Sequence, residues 1–269
     1  MKTTRKVSTV VLSGLCLLQL AGPARAEEDK PTASLAVSAM SKYVWRGFEN
    51  SRDSLVIEPS MTVGYQGFSA NLWGNEDTRY YSADPSVSTT SAWTETDLTL
   101  AYDWTMGPVG LTGGYIYYGL AASPYGGADV PDTQEVFAKA ALKTLLTPTL
   151  TVYRDIDNLP GWYATLGVSQ TLPITKEIGL SLGAQVGYLR ADDASSYARV
   201  SNPTEPCRGF HDGLLSASVA YPVNKYITVT PSLNYSFPLT SDARDLIKSK
   251  SFTGNSDFVY GGITVALAF

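Results

Sequence analysis

Polar and apolar side chains alternate with period two along most of this chain, while beyond residue 20 no apolar run approaches the roughly 18 positions of a membrane-crossing helix. The alternation falls into about twelve stretches, near 33-46, 54-65, 68-76, 93-105, 109-119, 133-143, 148-156, 161-171, 178-189, 212-222, 227-237 and 257-269. Each approaches the ~10 residues with which a tilted strand crosses a hydrocarbon layer. An even count lets the first strand pair with the last and abolish the edges of an open sheet. The fold class expected is all-β, a transmembrane antiparallel up-and-down barrel of about twelve strands.

The final stretch indicates what covers the outside. Ile263, Val265, Leu267 and Phe269 share one face and end on a ring at the C-terminus, where fraying normally removes packing partners. Lipid can supply that partner. The ending resembles the C-terminal strand by which bacterial outer-membrane barrels are recognised, which implies outer-membrane lipid and the barrel-assembly machinery as partners.

Residues 1-26 read as a cleaved signal peptide. Lys2, Arg5 and Lys6 form a basic leader, Val7 to Leu20 is apolar but too short to span, and Ala24-Arg25-Ala26 is a small-x-small cleavage site. Leu15 before Cys16 is too bulky for a lipobox. The barrel domain is then 27-269, one domain starting near Glu27, exported to a Gram-negative outer membrane. Cleavage removes four positive charges and no acid, taking the formal charge from -5 to -9. An acidic chain of this kind excludes nucleic acid as a partner. It also leaves Cys207 as the sole thiol, so stability must come from closed backbone hydrogen bonding rather than disulfides.

Connections alternate in length. Short reversals are expected at Gln66-Gly67, Met106-Gly107-Pro108, Leu145 to Thr147, Leu172 to Glu177 and Val223 to Tyr226. Longer polar loops are expected near 47-53, 77-92, 120-132, 157-160, 190-211 and 238-256, on the outer side. Taking the apolar parity as outward, Tyr65, Phe68, Tyr102, Trp104, Tyr221 and Phe269 fall at the periplasmic ends of strands. Tyr43, Trp45, Tyr115, Tyr117, Trp162, Tyr188 and Tyr235 fall at the outer ends. These would be the two aromatic girdles of a membrane barrel, where a ring keeps one polar atom wet.

The opposite parity gives the expected lumen. Its candidate pore-lining residues are Lys42, Arg46, Glu58, Asn71, Trp73, Glu95, Asp97, Asp103, Glu135, Lys139, Tyr153, Asp155, Gln185 and Asn234. Lys42, Arg46 and Lys139 oppose six carboxylates in this set, so a weak cation preference is expected if the charges face a narrow pore. The alternative is that they pair across the lumen and stiffen it.

Catalysis finds little support. His211, the sole histidine, lies at a loop-strand junction, with Ser216 on the opposite parity of an extended strand. A surface or loop-anchoring histidine is the plainer reading than a lipid-hydrolysing Ser-His pair. Glu95 and Asp97 are i, i+2 neighbours without an orienting third group. One histidine and one cysteine cannot make a zinc site, and Asp192-Asp193 reads as a solvated acidic doublet rather than a calcium ligand set. No cofactor motif is present.

The run Ser41-Lys42-Tyr43-Val44-Trp45-Arg46-Gly47, followed by Gly67-Phe68-Ser69-Ala70-Asn71-Leu72-Trp73-Gly74, resembles the opening of the TorF-type porin family of Gram-negative bacteria. The resemblance covers roughly 35-76 and implies an outer-membrane barrel with channel function. In that reading Tyr43 and Trp45 face lipid, Lys42 and Arg46 face the lumen near its mouth, and Gly47 releases the chain into the first loop. Arg46 would otherwise pair with Glu58 or Glu49. The function expected is a porin-like channel for passive diffusion of small hydrophilic solutes, the alternative being a non-conducting barrel whose loops bind a ligand or partner.

Overall fold

The computed structural model describes residues 30-80, 91-120 and 131-269. The expected signal peptide, and parts of the expected loops at 77-92 and 120-132, lie outside the described residues. In chain order, β1 (Thr32–Met40) precedes a small hairpin of β2 (Val44–Trp45) and β3 (Phe48–Glu49). Next come β4 (Val56–Tyr65), β5 (Phe68–Asp77), β6 (Ala92–Met106), β7 (Val109–Leu120), β8 (Thr133–Leu142), β9 (Thr149–Asp155), β10 (Gly161–Pro173) and β11 (Gly179–Ala191). A second hairpin, β12 (Ala198–Arg199) and β13 (Asn202–Pro206), leads into β14 (Arg208–Pro222) and β15 (Ile227–Pro238). The helix α1 (Ser241–Lys250) then precedes β16 (Phe258–Ala268).

Twelve strands close into an antiparallel barrel in the order β1-β16-β15-β14-β11-β10-β9-β8-β7-β6-β5-β4. Closure is made by β1, which pairs with β16 through Ser34↔Ala268 to Met40↔Gly262 and with β4 through Thr32↔Gly64 to Met40↔Val56. Every barrel strand therefore has two partners. The alternation is the cause: period-two side chains leave an apolar outer face and a polar inner one, and closure alone satisfies both rows of backbone groups. Leu35, Val37, Leu98, Leu100, Leu166, Val168, Ile263 and Val265 point outward and exposed, whereas Ser38, Glu58, Asn71, Thr99, Thr151 and Thr264 point inward and are buried. Ser38 and Thr264 share a hydrogen bond of 2.9 Å between adjacent strands.

The tight reversals fall at one end. Gln66 and Gly67 both have positive φ, 48° and 86°, the pair a two-residue hairpin turn requires. A Cβ on Gly67 would also stand 2.8 Å from the Asp103 carbonyl. At 224-227 the Asn224 side chain caps the turn, accepting from the backbone of Tyr226 and Ile227 at 2.8 and 2.9 Å.

The loop end departs from expectation in three places. The first strand stops at Met40 rather than continuing to 46, because Arg46 and Gly47 adopt φ of 49° and 81° and fold 44-49 back on itself as a hairpin, with Trp45 opposite Phe48. The expected loop at 238-256 contains a helix, started by Thr240, whose side chain accepts from the Ala243 amide, and docked through Ala243, Leu246 and Ile247. Finally, β14 begins at Arg208 instead of 212. One residue of β11, Gly187, faces the two residues His211 and Asp212, and this bulge turns both side chains inward.

Candidate functional site

The first hairpin does not line the wall. It crosses the barrel. Counting strands from β1, the wall diametrically opposite is β9, and the tip of the hairpin reaches it. Arg46 donates to both carboxylate oxygens of Glu135 on β8, at 2.7 and 2.6 Å. Its guanidinium lies over the rings of Tyr153 on β9 and Tyr163 on β10, 4.7 and 4.4 Å from their centroids, and 4.3 Å from its neighbour Trp45. Tyr118 on β7 donates to the same Glu135 carboxylate at 2.9 Å and packs edge-on against Trp45. A planar fork between aromatic faces and a bidentate carboxylate is the setting that arginine fits and lysine does not.

Gly47 at the tip has no room for a side chain, since a Cβ would stand 3.0 Å from Asp212 Cβ and 3.1 Å from Ile247 Cδ1 of α1. Asp212 is held in turn by the Tyr163 hydroxyl, which donates to it at 2.8 Å. On the flank, Phe48 stacks on Tyr197 at 5.6 Å and lies 5.0 Å from the His211 ring.

Carboxylates also fix the root. Glu49 is fully buried and pairs with Lys42. Its other oxygen accepts from the Ser251 hydroxyl at 2.6 Å and from the Thr253 amide and hydroxyl at 3.0 and 2.8 Å, tying the hairpin to the segment after α1. Lys42 reaches Asp53 as well, at 3.2 Å. Tyr43 accepts at its carbonyl from Asn50 and donates its amide to Ser51, both at 2.8 Å, which closes a compact loop.

A second cluster of inward groups lies on β4 to β6. The Tyr43 hydroxyl donates to Glu95 at 2.9 Å, and its ring tilts against Trp73 at 5.6 Å. Glu95 lies opposite Asn75, and Asp97 opposite Trp73. Glu58 Oε2, Asp97 Oδ1 and Asn75 Oδ1 are buried and accept no hydrogen bond from any described residue. Asn71 bridges to Ser60 and Thr62 of β4 at 2.9 and 2.8 Å. Thr112 donates to Asp103, and Thr133 to Asp155.

Thus Glu58, Asn71, Trp73, Glu95, Asp97, Asp103, Glu135, Lys139, Tyr153, Asp155, Gln185 and Asn234 all face the interior from barrel strands. Lys42 and Arg46 are also inside, but on the hairpin rather than the wall, and Arg46 pairs with neither Glu58 nor Glu49. Tyr43 and Trp45, expected at the lipid interface, are corrected. Tyr43 is buried inside the barrel and Trp45 packs on Tyr118, because the segment leaves the wall after residue 41. Tyr65, Tyr102, Trp104, Trp162, Tyr188, Tyr221, Tyr235 and Phe269 are exposed on the outer face. Tyr115 and Tyr117 take the outward parity of β7 and are half-buried.

His211 is buried rather than at the surface, wedged behind Phe48. The bulge also invalidates its assumed parity relative to Ser216, although no hydrogen bond joins the two. In the Asp192-Asp193 doublet each carboxylate is already engaged. Asp192 pairs with Arg154 at 2.5 Å, and Asp193 caps the amides of Ser195 and Ser196. Among the described residues no group of three or more His, Cys, Asp or Glu is placed to hold a metal ion.

No protein-family model matches the chain, and no curated protein matches it in sequence. Among solved structures, an outer-membrane channel from Pseudomonas putida F1 is similar with a TM-score of 0.52 at 10% identity, over 93% of this chain and 99% of that one. The NanC porin gives a TM-score of 0.49 at 10% identity, over 87% of this chain and 98% of that one. LpxR from Salmonella typhimurium gives 0.49 at 10% identity, over 88% and 99%. At 10% identity the likeness to the first is one of fold, and the chain has the fold of an outer-membrane β-barrel.

Proposed function

We propose that this chain is an outer-membrane, porin-like channel for passive diffusion of small hydrophilic solutes, narrowed by its own first hairpin. The observation that carries the reading is a polar inner wall spanned by a hairpin anchored through side chains. Such contacts can break and re-form without unfolding the wall. Towards the turn end the interior opens, and Asp103, Ser181, Gln185, Ser216 and Ser218 are half-exposed there. The apolar exterior supports the membrane placement. A leucine such as Leu166, 56% exposed, would forgo in water roughly half of the ~1.5–3 kcal/mol that full burial is worth, and the outer face carries dozens of exposed apolar side chains. The loop end then faces outward and the turns face the periplasm, after removal of 1-26 and handover of the terminal strand to the assembly machinery.

With Arg46 matched by Glu135, Lys42 by Glu49, and Glu58, Glu95, Asp97 and Asp155 buried, Asp103 is left as a half-exposed inward carboxylate near the turn end. This supports weak cation preference. The TorF-type resemblance falls on the same hairpin, so its most specific run supplies the plug. The close fit of the hairpin favours a second reading, a non-conducting barrel that presents its loops to a ligand. Single-channel recording of the refolded mature protein separates the two: discrete steps support the channel, and a folded but silent barrel supports the second reading.

A further inference from the structure

The lipid-facing rim at the loop end carries a basic row that the interior reading leaves unused. Arg154 on β9, Arg190 on β11 and Arg208 on β14 all take the outward parity of their strands. The cross-strand register places them side by side, with Trp162 opposite Arg154 on one flank and Arg190 on the other, and Arg190 opposite Arg208. Just below, two residue pairs nearer the middle of the wall and on the same face, Tyr188 and Phe210 pack edge to face at 5.7 Å and are exposed.

Like charges directly opposite on neighbouring strands repel. Yet the Arg190 side chain makes no hydrogen bond or ion pair among the described residues, and the Arg208 side chain makes only a 3.4 Å contact to the Ala191 carbonyl. Among the described residues, the acid that answers the row is Asp192, which pairs with Arg154 while that guanidinium lies 5.2 Å from the Trp162 ring centroid. An uncompensated arginine pair above exposed aromatics needs an anion supplied at the height of a lipid headgroup.

We infer that Arg190 and Arg208, with Trp162 beside them, form a binding site for the phosphate of an anionic lipid in the leaflet at the loop end. Guanidinium forks match phosphate oxygens bidentately, and the rings of Trp162, Tyr188 and Phe210 offer apolar surface to the acyl chains below. The commitment is to a membrane lipid rather than free phosphate, because the row sits on the outward wall and continues directly into the apolar surface. The inference rests on the membrane placement of the barrel and is independent of conduction.

The test is native mass spectrometry of the refolded mature barrel in neutral detergent, titrated with a bis-phosphorylated lipid A, with its dephosphorylated form, and with inorganic phosphate as competitor. The wild type is expected to retain the phosphorylated lipid, and the R190Q/R208Q variant to lose retention by at least about tenfold. A control K143Q/K225Q variant, altered at the turn end, should bind as the wild type does. Heat-modifiable migration checks separately that each variant forms a barrel, so failure of the membrane reading is told apart from failure of the site. Equal retention by R190Q/R208Q, equal retention of the dephosphorylated lipid, or displacement by equimolar inorganic phosphate would overturn the inference.

Discussion

Arg46 is where a residue most changes the behaviour of the molecule. Its guanidinium and the Glu135 carboxylate are nearly buried, 12% and 4% exposed as side chains, so removing one leaves the other charged in a poor solvent. Breaking such a pair costs about 3–5 kcal/mol, which shifts a docked-to-undocked ratio by more than about a hundredfold. Arg46→Ala should therefore raise the open probability or unit conductance of the reconstituted barrel, with the barrel itself still folded. Glu135→Gln should do much the same, and the double variant should add little, because one interaction is being removed twice. An unchanged current in all three would mean that the pair only braces the interior. Gly47→Val should mimic Arg46→Ala, since a side chain there meets Asp212 and Ile247 as well as a strained φ.

At the scale of elements, the hairpin, the 198-206 hairpin and α1 form one packed cap over the wall. Phe48 stacks on Tyr197, whose carbonyl accepts from the Cys207 amide at 2.7 Å. Burial pushes the Cys207 thiol above its ordinary value, with the Asp242 carboxylate adding to the shift. A thiol so placed holds little thiolate at neutral pH, so maleimide labelling of the folded protein should be slow. Phe48→Ala should speed it several-fold, and loss of the Glu49 anchor in Glu49→Gln should do so too. Labelling at the wild-type rate in both variants would show that the cap does not depend on the hairpin.

The same elements separate what is legible in the sequence from what is not. Every barrel strand was legible because period-two alternation is local, and closure follows once twelve such stretches need partners. The hairpin was not, because Lys42 to Arg46 alternate as well as any strand does. What diverts them is positive φ at Arg46, a residue that rarely adopts it, and partners on the far wall that no local pattern reveals. The helix was hidden in a polar loop, with Ala243, Leu246 and Ile247 as its only buried face, though Thr240 is a recognisable N-cap residue. The bulge at His211 and Asp212 is a one-residue insertion that parity counting cannot detect.

On the scale of the whole molecule, in the proposed reading the wall determines where the barrel resides and the first hairpin determines what passes. The acidic balance of the wall predicts a reversal potential of cation-selective sign across a salt gradient, and an anion-selective sign would contradict it. The most direct measurement of the central claim compares unit conductance of the wild-type barrel with that of a variant in which residues 43-51 are replaced by a short Gly-Ser linker. Both are refolded into the same bilayer and checked for heat-modifiable migration. A hairpin that spans the lumen predicts a conductance at least several-fold larger without it, whereas equal conductance from two folded barrels would show that the hairpin does not obstruct the path.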